Sequence, residues 1–212
     1  MKTKVVLASA SPRRSELLSL ILEDFSVRAS EVDETQFLVD ASTDSVARAA
    51  LAKARDVAGD CEEGSVIIAA DTVISFRGSL MGKPESPEHA AEMLWQLRGE
   101  EHHVVTGCAL IAQLESTAHL FHESTAVRMN DFSEEEMLEY IASGEPMDKA
   151  GAYAIQGLGG RLIHSIRGCY PNVIGFPLCA VGEYLRQAGI ETRAVPEICP
   201  AREHSVLRAS SL

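Results

Sequence analysis

The chain has 212 residues, 46% of them apolar and 24% charged, which is enough apolar material for a sizeable core and unlike a disordered segment. A formal net charge of −12 argues against nucleic acid or an anionic membrane as a partner, because both select basic surfaces. The cysteines, Cys61, Cys108, Cys169, Cys179 and Cys199, are odd in number and form no C-x-x-C pair. Reduced thiols are therefore expected, rather than a disulfide framework or a zinc knuckle. With no secretory apolar region before the first strand and no apolar run of membrane-spanning length, a cytoplasmic protein is expected.

Lys4–Ala8 predicts a short buried strand. Ser11 then offers an N-cap and Pro12 suits the first helical position, so an amphipathic helix follows. Arg13 and Arg14 fall in its first turn, where the macrodipole disfavours cations and favours anions. Two guanidinium forks, free backbone N–H groups and nearby hydroxyls describe a phosphate site there, unless the arginines merely face water. Phe25–Ala29 predicts a second strand. Over residues 44–58, Val46, Ala47, Ala50, Leu51, Ala54, Val57 and Ala58 recur at helical spacing, with Gly59 as the stop. The apolar run ending at Ala70 predicts a buried central strand that continues to Phe76 and a hairpin turn at Arg77-Gly78. Ser86-Pro87-Glu88 opens a helix that Gly99 closes. Two long β runs, 102–114 and 117–130, are consistent with an antiparallel pair. Ser133–Glu136 is a capping box opening a helix that ends near Gly144. Residues 172–188 form the last helix or the turn leading into it. The pattern predicts an α/β fold with a mixed, partly antiparallel sheet, as one domain over residues 1–189. The tail, 190–212, is expected to be loosely ordered.

Polar clusters fall at the ends of these elements: Ser9–Arg14, Glu31–Glu34, Ala69–Thr72, Met81–Pro84 and Asp148–Gly157. Asp71 is the most informative. An acid directly after an apolar run is poorly solvated unless a cation meets it, although a turn or cap acid is the alternative. Glu34 and Lys83 taken singly read as ordinary loop residues. The glycines at 157, 159 and 160 match neither a Walker loop nor G-x-G-x-x-G. His119 and His122 would face opposite sides of a strand and read as surface residues. No serine or cysteine has a nucleophile-elbow context. Together, the cations, the two carboxylates and the helix start suit a metal-bound polyphosphate, with the carboxylates holding a hard divalent cation through oxygen.

The stretches "LASASPRR", "EVDE", "AADTV", "GKP", "SGEPMDKAGAYAIQG" and "NVIGFPL" stand in the order found in the Maf family, and the sequence resembles that family over residues 4 to 188. Its members are nucleoside triphosphate pyrophosphatases, also named septum-formation inhibitors. The resemblance implies an elongated mixed sheet flanked by helices in two lobes, related to the inosine triphosphate pyrophosphatases, with the nucleotide in the cleft between the lobes. It implies Asp71 as the general base, Glu34 and Asp71 facing a divalent metal (Mg²⁺, Mn²⁺ or Co²⁺), and Ser9, Arg13, Arg14, Lys53 and Lys83 on the triphosphate. The set Arg13, Thr72 and Gln156 is similar to the branch acting on dTTP and UTP. The branch acting on 7-methyl-GTP instead carries a bulky aromatic, a glutamine and a glutamate. A glutamine amide offers both donor and acceptor to the N3–O4 edge of uracil or thymine. Ala154 and Cys169 depart from the family's common residues. The implied reaction is metal-dependent hydrolysis to a monophosphate and pyrophosphate, as house-cleaning of the nucleotide pool. The competing readings are a nucleotide-sensing regulator of cell division and a general phosphatase. Members of the family often form homodimers, which adds a second copy of the chain to the expected partners.

Overall fold

Val5–Leu7 forms strand β1, buried at every position. It runs parallel to β2 (Ser26–Val27) and to β3 (Val66–Phe76), with Val6 opposite both Ser26 and Ile67. Parallel neighbours need crossover connections, and helices α1 (Pro12–Ser19) and α2 (Thr43–Ala58) supply them. This computed structural model describes residues 3–37, 43–112, 117–195 and 206–208. The remaining elements are β4 (Ser79–Met81), α3 (Pro87–Leu97), β5 (Glu101–Ala112), β6 (Thr117–Met129), α4 (Glu134–Ala142), β7 (Ile163–Arg167), α5 (Tyr170–Ile174), α6 (Leu178–Gln187) and β8 (Val206–Arg208).

The strand order is β2-β1-β3-β5-β6-β7-β8, with β4 beside β3. The β3–β4, β6–β7 and β7–β8 pairs are antiparallel, so the sheet is mixed and the fold is α/β. The chain divides into two compact units. The first is Met1–Thr72, Thr106–Glu123 and Gly175–Cys199; the second is Val73–Val105, Ser124–Ile174 and Pro200–Leu212.

The core of the first unit is built from small residues: Ala50, Ala54 and Val57 of α2 lie on Ile67 and Ala69 of β3 and on Ala109 of β5. Small side chains let α2 approach the sheet closely. At Gly107 of β5, a Cβ would fall 2.3 Å from the backbone nitrogen of Ala47. The core of the second unit uses larger residues, including Phe76, Leu94, Met129, Phe132 and Tyr153.

Elements set by local signals form where the sequence places them. Arg77 and Gly78 both take positive φ, 50° and 80°, as a two-residue hairpin requires. Ser133 and Glu136 complete a reciprocal capping box. Ser11 differs: it stands at the N-cap of α1 but its side chain makes no capping bond. Its N–H instead donates to Ser9 Oγ at 3.2 Å. The second strand is two residues long, shorter than Phe25–Ala29. The sequence reading omits β7, whose five residues are too short for a clear period. Cys61, Cys108 and Cys169 are thiols that take part in no disulfide. Cys179 is disulfide-bonded, contrary to the fully reduced set expected from spacing alone. From Ile190 onward the structure describes 190–195, where Arg193 N–H donates to Ile21 O at 2.8 Å, and β8. The rest of the tail lies outside the described residues. No described helix is long and apolar enough to cross a membrane.

Candidate active site

Alternation along β3 puts Ile67, Ala69 and Asp71 on one face. That face meets the apolar stripe of α2, on which Lys53 lies one turn from Ala50 and next to Ala54. Lys53 therefore reaches Asp71, with Nζ 2.6 Å from Oδ1. The same ammonium donates to Glu34 Oε2. Glu34 opens a 3-10 turn, Glu34–Phe37, and the loop before it is tied to α2. The Ser30 hydroxyl and the Glu31 N–H both donate to Asp56 Oδ2, at 2.9 and 3.0 Å. One helix thus supplies Lys53 and anchors the approach to Glu34.

Asp71 is only 4% exposed. Burial raises its carboxyl above the ordinary aspartate range, Glu34 adds to the rise, and the Lys53 ammonium opposes it. A carboxylate destabilised in this way is a stronger proton acceptor than a solvated aspartate. The two carboxylates converge on one cationic group, and their oxygens suit a hard divalent ion. Among the described residues no group of three or more His, Cys, Asp or Glu side chains could hold a metal. The carboxylate oxygens of Glu34 and Asp71 could serve as ligands to such an ion, with water or phosphate completing its shell.

A second cluster surrounds Arg14. Its Nε donates to Gly175 O at 2.9 Å, and Nη1 donates to Ala70 O at 2.8 Å and to Ser9 Oγ at 3.3 Å. Nη2 donates to Thr72 Oγ1 at 3.2 Å. The Thr72 hydroxyl is also 3.0 Å from Thr106 Oγ1. Gly175 has φ +108°, and a Cβ there would meet Thr72 Oγ1 at 3.3 Å. Burial lowers the Arg14 pKa, with the charge of Asp71 the chief opposing influence, yet a guanidinium remains protonated in any case. Arg14 thereby ties the start of α1 to the backbone of β3 and to the turn before α6. Arg13 is half-buried in the same first turn, which contains no acid.

Lys83 and Gln156 belong to the second unit, and both are exposed. The loop of Lys83 is held where Gly82 O accepts the Gly151 N–H at 2.9 Å. In the same unit, His102 Nε2 and the Tyr153 hydroxyl are 2.6 Å apart. Burial pushes His102 down to about 3, so the ring is neutral at physiological pH. Asn172 donates from Nδ2 to Val104 O and to Thr125 Oγ1, both at 3.0 Å. Thr125 Oγ1 also accepts the Cys169 N–H at 3.2 Å.

The structure thus groups Glu34, Lys53 and Asp71, and separately Ser9, Arg14 and Thr72, within the first unit. Sequence reasoning misses Thr106, since a threonine in a strand carries no signal of its own, and gives no role to Gly175, although it falls within the stretch "NVIGFPL". Glu145 falls within one of the matched motifs, yet the sequence assigns it no role.

The family model described as Maf-like protein matches residues 4–188. The dTTP/UTP pyrophosphatase of Clostridium beijerinckii is 43% identical over 176 residues, covering 82% of this chain and 94% of that protein. The dTTP/UTP pyrophosphatase of Halalkalibacterium halodurans is 42% identical over 189 residues, covering 89% of this chain and 98% of that protein. Among solved structures, the Staphylococcus aureus Ham1 protein aligns with a TM-score of 0.49 at 13% identity, over 88% of this chain and all of that one. The matched span takes in every candidate residue named above, and the chain belongs to the Maf-like protein family.

Proposed function

We propose that the protein hydrolyses pyrimidine nucleoside triphosphates, dTTP and UTP above all, to the monophosphate and pyrophosphate. The observation that carries this reading is the buried Asp71 carboxylate, raised by burial and paired with Lys53. It is supported by relatives named dTTP/UTP pyrophosphatases along most of the chain. A water oxygen attacks the α-phosphorus as Asp71 takes its proton. The bond from the α-phosphorus to the bridging oxygen breaks, and pyrophosphate leaves. Ser9, Arg13, Arg14, Lys53 and Lys83 hold the triphosphate, the four cations offsetting its charge. Most of the Arg14 donors are engaged within the fold, so its part is largely to hold Ser9 and Thr72 in place. Thr72 and Gln156 set the choice of base. Glu34 and Asp71 would hold a divalent ion, Mg²⁺, Mn²⁺ or Co²⁺, whose chemistry when bound is to neutralise charge building on the phosphate oxygens.

In this reading the protein is cytoplasmic and removes excess or non-standard nucleotides. Its catalytic domain is residues 1–189, and a homodimer is the expected assembly. A regulator of septum formation that only senses nucleotides would have no use for a buried proton acceptor, so Asp71 favours the enzyme.

The test is hydrolysis of UTP in ¹⁸O-labelled water with Mg²⁺. The expected products are pyrophosphate and UMP carrying the label. Orthophosphate as the first product, label in the pyrophosphate, or full activity in excess EDTA would each overturn the proposal.

A further inference from the structure

Gln156 lies on an exposed stretch of backbone that is anchored on both sides by one pair of residues. Two positions before it, the Ala154 N–H donates to the Tyr140 hydroxyl oxygen at 3.1 Å. Two positions after it, the Leu158 N–H donates to Glu145 Oε2 at 3.0 Å. The Gly159 N–H donates to Glu145 Oε1, also at 3.0 Å. The Tyr140 hydroxyl in turn donates to Glu145 Oε1 at 3.2 Å. One polar relay therefore runs from Ala154 through Tyr140 and Glu145 to Leu158 and Gly159, and it clasps the segment that presents Gln156.

The glycines of the segment fit this clasp. Gly157 has φ +85°, and a Cβ there would lie 2.6 Å from Glu145 Oε2. A Cβ on Gly159 would lie 2.6 Å from the Tyr140 hydroxyl and 2.5 Å from Ala154 O. Backbone and carboxylate are thus in direct apposition with no room for a side chain between them. Tyr140 is 4% exposed. Burial and the neighbouring Glu145 raise its hydroxyl above the ordinary tyrosine value, so it stays protonated and can donate. A carboxylate that accepts two backbone N–H groups and a hydroxyl is a rigid three-point support.

We infer that Glu145, acting with Tyr140, is a positioning residue for base selection: it fixes the 154–159 backbone so that Gln156 meets the nucleobase in one orientation. This rests on the proposed base-reading role of Gln156. A residue that only stabilised the fold would change melting temperature and leave the preference between bases unchanged.

The experiment compares kcat/KM for UTP and CTP in the parent protein, Gln156→Ala, Glu145→Gln and the double variant, with hydrogen exchange measured over residues 154–159. The amide introduced by Glu145→Gln would keep one acceptor oxygen and turn a donor toward the other backbone N–H. The expected result is faster exchange in Glu145→Gln and a UTP-to-CTP ratio reduced about 5-fold or more, the scale of one mispaired hydrogen bond. The double variant should show no further narrowing beyond Gln156→Ala, because the effect passes through Gln156. If Gln156→Ala narrows the ratio and Glu145→Gln does not, the positioning role is overturned and base reading stands. If the double variant narrows it further than Gln156→Ala, Glu145 acts by another route and the inference is overturned. If Gln156→Ala leaves the ratio unchanged, base reading itself fails, and this inference with it. Should Glu145→Gln not fold, Tyr140→Phe breaks the relay at its Ala154 end and at its link to Glu145, and carries the same expectations for the base preference and for exchange at Ala154.

Discussion

The ammonium of Lys53 lies 2.6 Å from the carboxylate of Asp71, and the two side chains are 11% and 6% exposed. Asp71 is buried, and the Lys53 ammonium is the chief influence that favours its ionised form. Lys53→Met should therefore destabilise the protein by about 3–5 kcal/mol, the usual cost of leaving one charge of a buried pair behind. Lys53→Met combined with Asp71→Asn should recover much of that loss. Chemical denaturation of the three variants checks it, and a double variant no more stable than Lys53→Met would show that the pair is not coupled.

The raised pKa of Asp71 has a definite sign in catalysis. The base must be unprotonated, so activity falls as pH drops through the pKa of Asp71. Because burial raises that pKa, the acidic limb of kcat/KM for UTP should lie above the value of about 3.9 for a free aspartate. Lys53 opposes the rise, so in any residual activity of Lys53→Met the limb should move to still higher pH. Movement to lower pH would exclude Asp71 as the titrating base. For stability the direction is the opposite. With a folded pKa above the unfolded one, the contribution of Asp71 is most favourable below the unfolded pKa and is lost as pH rises through the folded pKa. Asp71→Asn should hence gain stability relative to the parent as pH rises across that window.

Asp71→Asn keeps the shape of the side chain and removes its basicity. Turnover of UTP should drop by about 10²-fold or more, the scale of a general base, while substrate binding changes far less. Near-parental turnover of the folded variant would remove Asp71 from the mechanism.

The two adjacent arginines should respond differently to the same substitution. Arg14→Lys keeps the charge but loses the fork that reaches Gly175 O, Ala70 O and Thr72 Oγ1 together. A loss of about 1–3 kcal/mol in stability is expected. Arg13→Lys should stay within about 0.5 kcal/mol of the parent, as at most sites without such a network, and should show its effect in KM. Urea titrations and steady-state kinetics separate the two, and equal stability losses would contradict the assigned division of work.

Gly107 is remote in sequence from Lys53 yet sets how closely α2 packs. In Gly107→Ala the new methyl carbon would fall 2.3 Å from backbone atoms of Val46 and Ala47, so α2 must shift. Overpacking of this kind costs about 1–3 kcal/mol, and displacement of Lys53 should lower kcat as well. A variant with parental stability and kcat would mean that α2 accommodates the methyl group without moving Lys53.

Local rules make much of the framework legible in the sequence. The helical period of residues 44–58, the apolar run into Asp71, the Arg77-Gly78 turn and the Ser133–Glu136 capping box each depend on neighbours within a few positions. The same reasoning marks Asp71 as an acid in need of a cation, from the apolar run before it. It cannot say which cation, and it assigns Lys53 to the triphosphate on resemblance alone. Lys53 and Asp71 are 18 positions apart, and Arg14 and Gly175 are 161 apart. A period tells which residues share a face, but which faces meet depends on strand register and helix docking. Likewise Ser11 reads as a cap and makes no capping bond; its N–H donates to Ser9 Oγ, which also accepts from Arg14. The tertiary structure alone decided that Arg14 is engaged within the fold, that Thr106 supports Thr72, and that Glu145 and Tyr140 clasp the backbone around Gln156. Each of these contacts joins segments whose own local patterns are silent about one another.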